Sequence, residues 1–322
     1  MRKTNRREFM ATAGVASVVG PAALSGASND QQQVQRGPIP HTMYIEKPRL
    51  IQGKDFDWPH EVQVALPASY FHSDNAYPVL WVLDGSYIFE MAMGLAAYAR
   101  ADNVPEMIVV GVGAPRGIPA SEFARRRAFE FTPNQEMLFP GLGPNKLRAM
   151  GPSTQTVAGG APRFLPFLVD DVRTRLTAEY RMNSKDHVIF GVSGGGGFVG
   201  YALFAKPGAF DKYICGSPSL NSGNFQVFQM EEQYAATHKD LDSKVFFGAG
   251  EQEITDDVGA EWDLVGSMIR LAQTLRLRDY PSLRVDVRIF PGESHMTAIP
   301  FTLSWGMRSL WAKGGSSGSS GM

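Results

Sequence analysis

The sequence predicts an α/β fold with a mostly parallel central sheet of about eight strands flanked by helices on both faces. Short runs rich in Val, Ile and Phe alternate with longer segments of helical spacing, an order typical of parallel strands joined by crossover helices. The runs at residues 78–84 and 106–112 are apolar on both faces, as expected of strands covered on both sides. The chain has 322 residues, of which 43% are hydrophobic and 20% charged, enough for one large domain.

The individual strands follow from these apolar runs, and the helices from apolar residues at 3.6-residue spacing. A helix over residues 163–180, for example, places Phe164, Leu168 and Leu176 on one face. The predicted strands are 60–66, 79–83, 107–112, 187–192, 212–215, 244–248 and 284–290, with an earlier one near 43–46, and further helices are predicted at 198–204, 262–275 and 302–311.

Composition excludes several classes of function. The formal net charge of −1 argues against a nucleic-acid-binding surface, which needs clustered Lys and Arg. Cys215 is the single cysteine, so an intrachain disulfide is impossible. The sequence has no H-E-x-x-H motif and no paired cysteines, so we expect neither a metal nor another cofactor.

The two ends of the chain differ in composition from its body. Arg6 and Arg7 precede Phe9, a short apolar run and a small-residue exit at Ser25-Gly26-Ala27, a pattern typical of a twin-arginine signal peptide. The apolar run is shorter than the ~20 residues needed to span a bilayer, so no membrane insertion is expected after its removal. We predict a signal peptide at 1–27, a linker at 28–40, one domain at 41–313 with an insertion at about 114–161, and a flexible Gly/Ser tail at 314–322.

The most informative motif is Gly191-Val192-Ser193-Gly194-Gly195, between an apolar strand and a helix. This is the G-x-S-x-G turn of α/β hydrolases in the strand–turn–helix context that it requires. It predicts Ser193 as a nucleophile, and it predicts that side chains at 191 and 195 would clash with their surroundings. A phosphate-binding turn is the alternative, but the dinucleotide pattern G-x-G-x-x-G and the P-loop lysine are absent.

The acid and the base should follow the serine in chain order. Glu253 comes just after the strand at 244–248, and we prefer it as the acid over Glu251, with Asp256 or Asp257 as further alternatives. His295 lies in the loop after the last predicted strand, where this fold supplies its general base. The backbone N–H groups of Gly194 and Ser86 are predicted to form an oxyanion hole.

Several motifs together resemble the esterase D-like esterase family, which is part of the α/β-hydrolase superfamily. They are Tyr77-Pro-Val-Leu-Trp-Val-Leu-Asp-Gly85, Arg127-Ala-Phe-Glu-Phe-Thr-Pro133, the serine motif, Gly216-Ser-Pro-Ser219 and Gly292-Glu-Ser-His295. The resemblance covers about residues 41–312 and is strongest to periplasmic siderophore (enterobactin and salmochelin) esterases. It implies that Ser193 and His295 are catalytic and that Ser86 supplies an oxyanion N–H. It leaves the identity of the acid open, because some members of the family resemble enzymes that work with a Ser–His dyad alone.

These observations lead to the expectation of an exported, periplasmic or secreted serine esterase that acts through an acyl-enzyme. The substrate expected is a small-molecule siderophore-type or aromatic (feruloyl-like) ester, with Arg127 and Phe131 as substrate-binding residues, and the expected partner before cleavage is the twin-arginine export machinery. Acyl transfer to a sugar or alcohol is an alternative reaction. An inactive binding protein on the same fold is an alternative of another class.

Overall fold

A mixed β-sheet organises the computed structural model, which describes residues 43–100, 104–135 and 158–311. The predicted signal peptide, linker and Gly/Ser tail lie outside these residues, as do residues 136–157 of the predicted insertion. Within the described part of the chain the sheet has nine strands in the order β1-β3-β5-β4-β6-β7-β8-β9, with β2 paired to β3. The strands are β1 (Tyr44–Ile45), β2 (Arg49–Gln52), β3 (Pro59–Leu66), β4 (Tyr77–Leu83), β5 (Ile108–Gly113), β6 (Met182–Val192), β7 (Lys212–Gly216), β8 (Lys244–Gly250) and β9 (Arg284–Phe290).

Strands β4 to β9 run parallel to one another, whereas β3 pairs antiparallel with β5, and β1 and β2 pair antiparallel with β3. The register places Val192 beside Gly216, and Gly216 beside Gly248. The carboxyl ends of β6, β7 and β8 therefore lie side by side, at the edge where open α/β sheets bind ligands. The prediction of a mostly parallel sheet covered by helices is confirmed.

The helices account for most of the remaining described residues. They are α1 (Gly85–Ala99), α2 (Ala120–Phe131), α3 (Ala161–Pro166), α4 (Arg173–Glu179), α5 (Gly194–Ala205), α6 (Ser222–Thr237), α7 (Asp257–Glu261), α8 (Leu264–Leu277) and α9 (Ala298–Trp311). A π-helical stretch, Phe167–Val172, joins α3 to α4, so the helix predicted at 163–180 is continuous but widened in its middle. Among the described helices none is long and apolar enough to cross a membrane.

Both faces of the sheet are buried. Successive residues of a strand point to opposite faces, so Trp81 and Phe247 join one core cluster while Leu80 and Phe246 join the other. Cys215 is buried in the first of these clusters, and its burial raises the pKa of the thiol well above the ordinary range. Packing on both faces fixes where each central strand ends along the sheet, and this in turn fixes the position of the turn that follows the strand.

Helices α1 and α2 were not predicted, and both bear on the site. The residues after β4, predicted as a loop, begin α1, because the turn is completed at Asp84 in a left-handed conformation (φ 53°). Part of the predicted insertion is helix α2 rather than irregular chain. Strand β2 and helices α6 and α7 were not predicted either.

Candidate active site

A cavity of about 390 Å³ lies where β4 and β6 end. Ser193 and His295 both line it, and most of its wall is apolar. Arg127 and Asp84 line it together with His295. The other lining side chains include Tyr87, Phe123, Phe131, Trp262, Met296 and Ile299.

Ser193 occupies a strained turn between β6 and α5. Its φ of 58° and ψ of −121° are rare for a residue with a Cβ, and such strain persists only where the surroundings enforce it. Here the Ser193 N–H donates to Gly216 O at 2.9 Å, and Ser193 O accepts from the N–H of Ser219 at 3.0 Å. The turn holds Ser193 at the cavity wall and at the N-terminus of a helix, which favours negative charge.

The steric expectation holds at one of the two glycines of this turn and fails at the other. A Cβ at Gly191 would lie 2.4 Å from Gly195 O, so the steric expectation at position 191 agrees with the structure. A Cβ at Gly195 would meet its nearest atoms at 3.5 Å, an ordinary contact, so the expectation at position 195 is wrong. The tight positions are Gly196 and Gly197, whose Cβ atoms would lie 2.5 Å from Gly216 O and 2.6 Å from Ser219 O.

His295 and Glu253 form a close pair. His295 Nδ1 lies 2.7 Å from Glu253 Oε2, which leaves Nε2 as the ring nitrogen available to the cavity. Burial raises the pKa of Glu253, but hydrogen bonds from His295, Ser217 and Gly250 outweigh it and hold this pKa below its ordinary value. The carboxylate is thus ionised at neutral pH and suited to orient an imidazole. The structure shows no hydrogen bond between the side chains of Ser193 and His295.

The alternative acids lie elsewhere. Glu251 is exposed and accepts a hydrogen bond from the N–H of Gly292 at 2.8 Å. Asp256 accepts from the N–H of Gly259. The geometry therefore brings Glu253, and neither of these two carboxylates, against His295.

The predicted oxyanion-hole residues both lie in first turns of helices. Gly194 begins α5 and Ser86 is the second residue of α1. N–H groups in a first helical turn have no acceptor within their own helix, so both donors are available to a ligand. Ser86 owes this position to the helix that replaces the predicted loop.

Arg127 lies beside the serine turn and is held there by Asp84, a residue that sequence analysis missed. Its Nε donates to the Asp84 carboxylate at 2.9 Å and its Nη2 donates to Val192 O at 3.0 Å. A Cβ on Gly194 would lie 3.3 Å from Arg127 Nη1. Burial raises the pKa of Asp84, and Arg127 opposes this rise. The guanidinium is therefore fixed next to Gly194, where it favours negative charge.

Helix α2 presents both predicted substrate-binding residues, Arg127 and Phe131, to the cavity. The Arg127 guanidinium stacks on the Phe131 ring, 5.2 Å from its centroid. The helix is anchored by Glu130, whose buried Oε1 lies 2.9 Å from both Trp58 Nε1 and His60 Nε2. Buried polar groups with several partners fix orientation strongly, so this contact sets how α2 faces the cavity.

Comparison with known proteins agrees with this architecture. A family model described as "Putative esterase" matches residues 53–135. The chain is 26% identical over 287 residues to the siderophore enterobactin esterase of Emericella nidulans, covering 81% of this chain and 91% of the relative. It is 26% identical over 238 residues to the ferri-bacillibactin esterase BesA of Bacillus subtilis, covering 72% and 78%.

Solved structures show the same fold. The BES protein from Bacillus cereus matches with a TM-score of 0.69 and 24% identity, covering 84% of this chain and 96% of that one. The siderophore hydrolase EstA from Aspergillus nidulans matches with a TM-score of 0.70 and 23% identity, covering 84% and 94%.

The fold is that of the α/β hydrolases, and these similarities support an ester hydrolase. Within that class the chain is similar to esterases of siderophores, so the resemblance predicted from its motifs is confirmed.

Proposed function

We propose that this chain is an exported serine esterase that cleaves carboxylic esters through an acyl-enzyme on Ser193. The observation that supports it most is the strained Ser193 turn, which shares one cavity with a histidine paired to a buried, ionised carboxylate. In this proposal His295 removes the hydroxyl proton as Ser193 attacks the acyl carbon, and returns it to the leaving alcohol. Glu253 holds the imidazole tautomer and stabilises the imidazolium.

The oxyanion of the tetrahedral intermediate is proposed to bind the N–H groups of Gly194 and Ser86. Arg127 adds a fixed positive charge beside Gly194, where a guanidinium already held by Asp84 needs no reorganisation during the reaction. Water then attacks the acyl-enzyme, with His295 acting again as the general base.

The proposed substrates are siderophore-type esters with aromatic acyl groups. The apolar wall with Phe123, Phe131 and Trp262 suits an aromatic ring, and Arg127 suits an acidic or phenolic oxygen on it. The sequence relatives described as siderophore esterases support the same substrate class.

The first experiment is intact-mass analysis after treatment with a fluorophosphonate, for the wild type and for Ser193→Ala. One adduct on the wild type and none on the variant is expected. No adduct on either would contradict the serine mechanism and favour a binding protein.

A substrate screen then compares a triscatecholate trilactone with simple aryl esters, with and without an alcohol acceptor. Preferential cleavage of the trilactone is expected. Cleavage of aryl esters alone would contradict the siderophore assignment, and a transferred ester would instead indicate acyl transfer.

Export by the twin-arginine pathway is proposed from Arg6 and Arg7. Cell fractionation of the wild type and of Arg6→Lys/Arg7→Lys tests it. Activity in the periplasm or medium for the wild type alone would support export, whereas equal distribution would contradict it.

A further inference from the structure

The segment Gly216–Ser219, at the end of β7, contacts both the nucleophile turn and the acid. Ser193 is held by this segment at both backbone atoms, since its N–H donates to Gly216 O and its carbonyl accepts from Ser219 N. The tight contacts of Gly196 and Gly197 are also with Gly216 and Ser219. A segment packed this closely transmits its own position directly to Ser193.

Ser217 lies in the middle of this segment in a conformation that ordinarily favours glycine. Its φ is 37°, and it is 1% exposed. Its N–H donates to Gly248 O at 2.7 Å, which fixes the residue against β8. A non-glycine residue with a positive φ destabilises the fold, so we expect the Ser217 side chain to make an interaction that offsets this cost.

The side chain of Ser217 reaches Glu253. Its Oγ donates to Glu253 Oε1 at 2.7 Å, and the N–H of Gly250 donates to the same oxygen at 2.7 Å. The other oxygen, Oε2, faces His295. Ser217 therefore fills the side of the carboxylate that His295 does not use, and thereby fixes the rotation that points Oε2 at the imidazole.

We propose that Ser217 is a positioning residue that couples the Ser193 turn to the Glu253–His295 pair. It acts through Glu253 and does not touch the substrate. This inference rests on the proposed serine mechanism, since it assigns to Ser217 the orientation of that mechanism's acid.

The test compares Ser217→Ala and Ser217→Gly with the wild type in two assays, fluorophosphonate labelling of Ser193 and hydrolysis of p-nitrophenyl acetate. Loss of a hydrogen bond to a charged group predicts roughly a 10-fold or greater fall in the labelling rate and in kcat, with KM little changed. Ser217→Gly retains the left-handed backbone freely, so it reports on the hydroxyl even if Ser217→Ala folds poorly. Ser243→Ala is the matched control, since its buried hydroxyl has no hydrogen-bond partner in the described structure.

Two readouts separate positioning from general destabilisation. Without the Ser217 donor, one of the hydrogen bonds that hold the pKa of Glu253 down is lost. The acidic midpoint of the rate profile therefore moves to higher pH. Because Ser217 acts through Glu253, Ser217→Ala/Glu253→Gln should be no slower than Glu253→Gln alone.

The outcomes for the two proposals are distinct. No labelling of the wild type would contradict the serine mechanism itself. Labelling of the wild type with an unchanged rate in Ser217→Gly, or a double variant slower by the product of the single losses, would overturn the role of Ser217 alone.

Discussion

Replacing Arg127 with Met removes the cation that Asp84 contacts while keeping most of the aliphatic stem. Asp84 is 8% exposed, so it would remain as a buried carboxylate without its ionic partner. Breaking a buried ion pair on one side costs about 3–5 kcal/mol. Since the Arg127 side chain is 28% exposed, we expect the lower end, about 3 kcal/mol, or a fall in Tm of roughly 6 °C.

The same substitution should make stability depend on pH. Burial already raises the pKa of Asp84, and Arg127 is the group that opposes this rise. Without Arg127 the folded-state pKa rises further above the unfolded value, so stability from this group is present at low pH and is lost as pH rises through the folded pKa. The deficit of Arg127→Met should therefore be larger at pH 8 than at pH 5.

A double variant separates stability from catalysis. Asp84→Asn/Arg127→Met leaves no buried charge at these two positions, so urea unfolding followed by tryptophan fluorescence should show most of the lost stability restored at pH 8. Its kcat should stay low by about 10²-fold or more, the usual effect of losing a group that stabilises an oxyanion. Recovery of kcat together with stability would refute the role of Arg127 at the oxyanion and leave it a structural one.

Three further predictions concern the turn, the acid and helix α2. Gly191→Ala should prevent correct formation of the nucleophile turn, because the added Cβ would lie 2.4 Å from Gly195 O; circular dichroism and labelling would measure it, and a normally labelled variant would contradict it. Glu253→Gln should lower kcat by about 10²–10⁴-fold with little change in KM; steady-state kinetics with wild-type rates would favour a Ser–His dyad. Glu130→Gln weakens the contact with His60 and should cost about 1–3 kcal/mol in urea unfolding, with no change expected if α2 is held by apolar packing alone.

The strands of the sheet could be predicted from the sequence because the inner strands are apolar on both faces and end in distinctive turns. Seven predicted strands match observed ones within two residues at each end, except that β6 begins at Met182, five residues earlier than predicted. Strand β2 was missed because Arg49–Gln52 is a short edge strand whose burial alternates, with only Ile51 buried. Such a segment has too few apolar residues to stand out from a loop.

Helix α1 was missed for a local reason. Asp84-Gly85 is typical of a turn, and a turn is indeed present at Asp84, but the helix starts at the next residue without a side-chain cap. Helix α2 is polar on average and contains several arginines, so the sequence predicted an insertion, and not a helix, at these residues. Helix α1 packs against the sheet and α2 packs against helices α3 and α5, so tertiary contacts, and not local propensity, decide both structures.

Only part of the candidate site could be predicted from the sequence. The chain order of Ser193, Glu253 and His295 could be predicted because each follows a recognisable strand. The contact between Asp84 and Arg127 joins residues 43 positions apart, and no local pattern indicates it. The role of Ser217 depends on a left-handed backbone angle that the motif alone does not reveal.

The single thiol of the chain, Cys215, can be used to measure how often the sheet opens locally around β7. Because Cys215 is buried beside the nucleophile strand and its thiol is held protonated, alkylating reagents can reach it only when the sheet around β7 separates. The rate of Cys215 alkylation under native conditions therefore reports the free energy of that opening at the centre of the molecule. It also means that a cysteine introduced at the cavity rim could be labelled selectively without removing the native one.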